Sequence, residues 1–193
     1  MRVLAISGSL RSDSHNGRLL RAAAQLLPPD AELVQFGGLK TIPPFDEDDE
    51  LAPGDAVEAW RAELERADAL LFATPEYNHS IPGALKNAVD WASRPSATAA
   101  LRNKPAAVIG TSTGMFGAVW AQAELRKSLA AAGARVIDRE LPVPDAENAF
   151  APDGALAEHE QTLALGEILA ELLDEARRRS ATPAAPAPLA AAA

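Results

Sequence analysis

Five short apolar runs recur along this chain, and a stretch with helical periodicity separates each from the next. The runs are Val3-Leu4-Ala5-Ile6, Glu32 to Phe36, Asp68 to Ala73, Ala106-Ala107-Val108-Ile109-Gly110 and Ala134 to Asp138. Between them, residues 17–27, 55–66, 82–93 and 118–132 carry apolar side chains at spacings of three and four, as helices with one packed face do. A longer helical pattern follows over 153–179, after a Pro-rich connection. Strand and helix alternating in this way give a parallel sheet with helices on both faces, a three-layer α/β sandwich. At 193 residues, one domain over 1–179 is expected. Residues 180–193 are almost entirely Ala and Pro and read as a disordered tail, since Pro interrupts a helix and Ala offers little area to bury.

With five strands, the flavodoxin-like order 2-1-3-4-5 is expected. That order makes the first and third strands neighbours at the switch point. The loops after Ile6, Ala73 and Gly110 then meet over one crevice, and these are the three chemically dense loops of the chain.

The first, Ser7 to Asn16, combines several hydroxyls with Arg11, Asn16 and the start of a helix. It has neither the Lys nor the spacing of a P-loop, and no G-x-G-x-x-G. Short donors, one guanidinium and a helix dipole suit a phosphate monoester held without metal. The plainer alternative is a Ser-rich helix cap. The second loop, Thr74 to Ser80, holds Pro75, Glu76, the chain's single tyrosine Tyr77, and Asn78. Such a loop can lie along a flat heterocycle, with Asn78 and backbone groups on its polar edge. Alternatively, Tyr77 is a half-buried aromatic at a helix start and Glu76 is merely solvated. In the third loop, Thr111 to Gly117, Gly114 and Gly117 would let a ligand approach the backbone.

Other chemistries find less support. His15 and His79 have no carboxylate cluster at ligand spacing, so no metal site is expected. No Ser-His-Asp set is legible, and no Ser lies in a G-x-S-x-G elbow. There are no cysteines, which excludes disulfides, thiolate zinc and cysteine-held iron–sulfur clusters. A net charge of −9 argues against a nucleic-acid or anionic-membrane surface. The acidic run Asp46-Glu47-Asp48-Asp49-Glu50 reads as a solvated loop. No apolar run reaches transmembrane length and the N-terminus is too quickly polar for a signal peptide, so a cytoplasmic protein is expected.

With these residues in place, the chain resembles the NADPH-dependent FMN reductase family of flavodoxin-like proteins, a group that includes quinone, chromate and azo-dye reductases. The likeness rests on Gly8-Ser9-Leu10-Arg11 with Ser14 and Asn16, and on Pro75-Glu76-Tyr77-Asn78 with Ser80-Ile81-Pro82-Gly83, Leu85-Lys86-Asn87 and Asp90-Trp91. Ser112, Gly114, Phe116-Gly117, Gln122 and Leu125-Arg126 form a third element. Ala118 departs from the family, which often has glycine there.

The resemblance implies that Ser9, Arg11, Ser14, His15 and Asn16 surround the FMN phosphate. It implies that Pro75, Glu76, Tyr77 and Asn78 line the isoalloxazine, with Ser112 and Gly114 on its far side. No catalytic side chain is then expected, because the flavin itself takes the hydride. The implied function is ping-pong reduction by NADPH or NADH of quinone-like or other electrophilic acceptors, or of free flavin. A homodimer or dimer of dimers is implied, with the helix from Pro82 as an interface element through Lys86 and Trp91. The competing readings are a flavodoxin-type electron carrier that docks on protein partners and a flavin-free interaction protein on the same fold.

Overall fold

The structure is a computed structural model that describes residues 1–181. Parallel strands β1 (Arg2–Ser7), β2 (Glu32–Gln35), β3 (Ala69–Thr74), β4 (Pro105–Thr111) and β5 (Arg135–Val136) lie in the order β2-β1-β3-β4-β5. This is the order expected from the alternating pattern. A sixth short strand, β6 (Pro142–Val143), also pairs with β4, opposite Gly110 and Thr111. The expected fifth strand over 134–138 is therefore an edge in two pieces. Arg139, between them, turns outward to Glu167 and Glu171. Pro142 has no N–H for a ladder, which suits an edge position.

Side chains alternate across each strand, and the alternation sorts the helices into two layers. Val3, Ala5, Leu71, Ala107 and Ile109 pack with Leu19, Leu20 and Ala23 of α1 (His15–Gln25) and with Leu165, Ile168, Leu169 and Leu172 of α5 (His159–Ala181). Leu4, Ile6, Leu70, Phe72 and Val108 face the other way. They meet Val57, Trp60 and Leu64 of α2 (Asp55–Arg66), Leu85 and Val89 of α3 (Gly83–Ala92), and Leu125 and Leu129 of α4 (Val119–Ala131). Burial on both faces explains why the central strands are apolar without interruption.

The largest departures from the expected helix boundaries are in α1 and α5. α1 begins at His15 because Ser14 caps it, its Oγ accepting from Gly17 N at 2.9 Å. α5 begins at His159 because residues 150–156 close a turn, with Phe150 bridged to Leu156. At its other end α5 includes Ser180 and Ala181, which the tail reading had placed outside the fold; the rest of that tail lies beyond the described residues.

The long connection after β2 is stapled to α3. The Asn87 side chain accepts from Phe45 N at 2.7 Å and donates to Pro43 O at 2.8 Å, while Trp91 Nε1 donates to the same carbonyl. Phe45 stands edge-on to Trp91, 4.9 Å between ring centroids. Trp91 is therefore fully buried within its own chain and is not an interface residue. The acidic run forms one exposed turn over Glu47–Asp49, capped by Asp46 on Asp48 N.

Lys104, just before β4, is buried and donates to the carbonyls of Glu65 and Ala67, at 2.9 and 2.6 Å, where α2 ends. Burial is the main cause that lowers its pKa from 10.5 to about 8, with Arg179 acting in the same direction. Between those two values the unfolded chain binds more protons than the folded one, so stability rises with pH across that window. Denaturant unfolding of the wild type and Lys104→Met in parallel is expected to show it. The wild type should gain on the order of 2 kcal/mol relative to the variant from pH 8 to 10.5.

Candidate functional site

The three loops meet above the C-terminal ends of β1, β3 and β4. Loop 1 leaves β1 at Gly8, whose N–H donates to Ala73 O at 2.8 Å. A Cβ on Gly8 would lie 2.8 Å from Leu85 Cδ2 and 3.1 Å from Pro75 Cδ, so glycine is what lets loops 1 and 2 touch. Asn16 joins loop 1 to the end of β4. Its amide donates to Thr111 O at 3.0 Å and accepts from Thr111 N at 3.2 Å, fully out of solvent. Its side chain is thus a structural staple, and only its backbone remains for a ligand at the helix start. Ser14 is likewise engaged as the α1 cap.

The rest of loop 1 is open to a ligand. Arg11 is exposed, and its guanidinium makes no hydrogen bond or ion pair among the described residues. The Ser9 hydroxyl accepts a long bond from Arg11 N, 3.4 Å. His15 Nδ1 is buried without a partner at the first turn of α1. A free guanidinium, a hydroxyl, an orphaned imidazole nitrogen and the first amides of a helix are the donor types that an anion calls for. A phosphate monoester fits this donor set.

Loop 2 is a tight two-residue turn. Tyr77 and Ser80 exchange backbone hydrogen bonds at 3.2 and 3.1 Å, and Asn78 and His79 between them adopt φ of +53° and +58°. Positive φ at both central residues is the hairpin type in which Asn is favoured. The turn presents Tyr77, about half exposed, toward the mouth of the site. Pro75 is buried at the base of the loop. The Glu76 side chain is not merely solvated. Its Oε2 accepts from the N–H groups of Trp120 and Ala121, both at 3.1 Å, and Oε1 lies 3.4 Å from His79 Nδ1. Ser80 Oγ donates to Glu124 at 2.5 Å, which closes the same seam one turn further along α4.

Loop 3 is held from behind. Gly117 has φ +55°, and a Cβ there would stand 2.4 Å from Val143 N. Gln122, fully buried, donates to Gly117 O at 3.0 Å and accepts from Leu141 N at 3.0 Å. Ser112 O accepts from Ala146 N and Gly114 O from Asp145 N, so β6 and the turn after it form a brace. Gly114 has only Ser112 Oγ, at 3.9 Å, near where a Cβ would be, and its backbone can be approached. Ala118 takes φ +61° at the start of α4, which explains why glycine is favoured there in the family it resembles. Its methyl is nonetheless accommodated, 1 % exposed.

Two structural partners were missed from sequence: Gln122 in its bracing role, and the 143–146 brace. The only signal for the second was the pair of prolines, Pro142 and Pro144, flanking a short apolar step.

Leu10, Tyr77, Met115, Phe116 and Trp120 are large apolar side chains left exposed, and all stand on the three loops or the first turn of α4. A cleft of about 320 Å³ lies between loop 1 and the start of α3, lined by Leu10, Arg11, Tyr77 and Pro82 to Ala84. A larger one, about 560 Å³, lies between α3 and the far end of α4, among Lys86, Arg94 and Arg102, and contains none of the predicted site residues. Among the described residues, no three His, Asp or Glu side chains converge to hold a metal ion.

The family model for NADPH-dependent FMN reductases matches residues 1–148. The chain belongs to this family. It is an oxidoreductase that uses NAD(P)H and FMN. It is 44 % identical over 158 residues to an NAD(P)H-dependent FMN reductase of Pseudomonas aeruginosa, a match covering 81 % of this chain and 84 % of that protein. It is 43 % identical over 128 residues to a 2-hydroxy-1,4-benzoquinone reductase of Burkholderia sp., covering 65 % and 68 %. Among solved structures it is similar to FerB, a flavoenzyme NAD(P)H:(acceptor) oxidoreductase of Paracoccus denitrificans. That likeness has a TM-score of 0.80 and 34 % identity, over 92 % of this chain and 97 % of FerB. Their activities favour the reductase reading over the electron carrier.

Proposed function

We propose that this protein is a cytoplasmic NAD(P)H:quinone and flavin oxidoreductase in which FMN is a resident cofactor. The observation that carries the proposal is the division of labour among the loops. Arg11, Ser9, His15 and the α1 amides form an anion seat with unused donors, beside a wall of Pro75, Tyr77 and Asn78 and an approachable backbone at Gly114. Ser112, whose Oγ lies 3.9 Å from where a Cβ on Gly114 would be, is assigned with it to the far side of the ring. Glu76, Ser14 and Asn16 belong to the frame rather than to the contact surface.

Bound FMN supplies the hydride chemistry, so the side chains need only hold, orient and exclude water. The apolar rim of Leu10, Tyr77, Phe116 and Trp120 shapes a shelf for flat, weakly polar acceptors, and donor and acceptor use it in turn. We assign the acceptors as small molecules of quinone type, in keeping with the relatives' names. The same exposed rim, too apolar to be left in water without function, supports a homodimer or a dimer of dimers that covers part of it.

Steady-state rates test the proposal. NADPH or NADH varied against benzoquinone should give parallel double-reciprocal lines, the pattern of a ping-pong enzyme. Intersecting lines, or no turnover with any of quinone, azo dye, chromate or free FMN, would contradict it.

A further inference from the structure

α4 begins beside loop 3 without a cap of its own, because Ala118 has no side chain that can accept a hydrogen bond. Its acceptor arrives from loop 2. Glu76 is 44 residues before the first of its partners, yet its carboxylate accepts from the Trp120 and Ala121 amides in the first turn of α4 and is only 12 % exposed. A neutral side chain would satisfy those amides as well. A carboxylate adds a full negative charge at the positive end of the helix dipole. It places that charge at the seam between the two loops that border the proposed ring site, where partial burial leaves it only partly screened.

We propose that Glu76 is a positioning residue that sets the redox balance of the bound cofactor. With its charge in place, α4 cannot lend its positive end to a cofactor that gains negative charge on reduction. The reduced form is thereby held less tightly than the oxidised one, and electrons pass on readily to the acceptor. Preorganised dipoles are strong levers in such sites, so cancelling one has a measurable effect. This inference rests on FMN lying between loops 2 and 3, as proposed above.

The test is the midpoint potential of FMN-loaded protein, measured by dye equilibration for the wild type, Glu76→Gln, Glu76→Ala and Glu124→Gln. Glu76→Gln keeps an acceptor oxygen and loses the charge. It should favour the reduced cofactor about tenfold, a rise of about 30 mV for a two-electron couple. Glu76→Ala should show the same rise together with a lower melting temperature. Glu124→Gln removes the same charge from the same seam but away from the helix end, and should move the potential much less. An unchanged or lowered potential in both Glu76 variants overturns the assignment, as does an equal rise in Glu124→Gln. So does a folded Glu76→Gln protein that no longer retains FMN. A wild type that fails to bind FMN refutes the cofactor reading itself, and the assignment with it.

Discussion

Arg11→Ala is expected to weaken FMN binding by roughly 10- to 100-fold while leaving the fold intact. The guanidinium has no partner among the described residues, so its removal breaks no internal contact. A charge-assisted hydrogen bond to a phosphate contributes about 1.5–3 kcal/mol, which sets the size of the effect. Isothermal calorimetry with FMN and with riboflavin separates the causes. FMN affinity should fall and riboflavin affinity should stay, because only FMN carries the phosphate. An unchanged FMN affinity would remove Arg11 from the phosphate seat.

Gly117→Ala is expected to have the largest effect on stability, about 3 kcal/mol or more, or a fall of about 10 °C in melting temperature. Two costs combine. The backbone at Gly117 is left-handed, which alone disfavours alanine by about 1 kcal/mol. The new methyl would also meet main-chain atoms of Pro142 and Val143 at 2.4–2.8 Å, and these cannot swing aside as a side chain tip can. Relief requires loop 3 to separate from β6, which breaks the Gln122 bond to Gly117 O. FMN binding should fall with stability. Thermal unfolding of the apo-protein, with and without added FMN, measures both effects. A variant that melts with the wild type would show that the brace does not hold loop 3.

The fold was legible because its central strands are covered on both sides, which leaves unbroken apolar runs such as Ala69 to Ala73. The edge was less so. The run Ala134 to Asp138 announces a strand, of which only Arg135–Val136 pairs with β4; Pro142–Val143 is too short to announce one, and only its pairing with β4 defines it. The proposed anion seat shows in the sequence as a cluster of unusual residue types near one helix start. The role of each residue in it does not. Asn16 and Glu76 have the chemistry of ligand contacts, but their partners are backbone groups at Thr111 and Trp120, far away in sequence. A hydrogen bond to a distant main-chain amide leaves no mark on composition or spacing. Trp91 erred in the opposite direction. It lies off the Leu85/Val89 stripe of α3, yet the connection at Pro43–Phe45 folds over it and buries it.

In the proposed function, electrons pass directly from NAD(P)H to FMN held between the three loops. Anaerobic stopped-flow mixing of the FMN-loaded protein with NADPH tests it most directly. Rapid bleaching of the flavin absorbance is predicted, at a rate that saturates with NADPH, followed by full recovery of colour when benzoquinone is added. A flavin that binds but stays oxidised in the presence of both NADPH and NADH would contradict the claim and return the protein to the class of electron carriers.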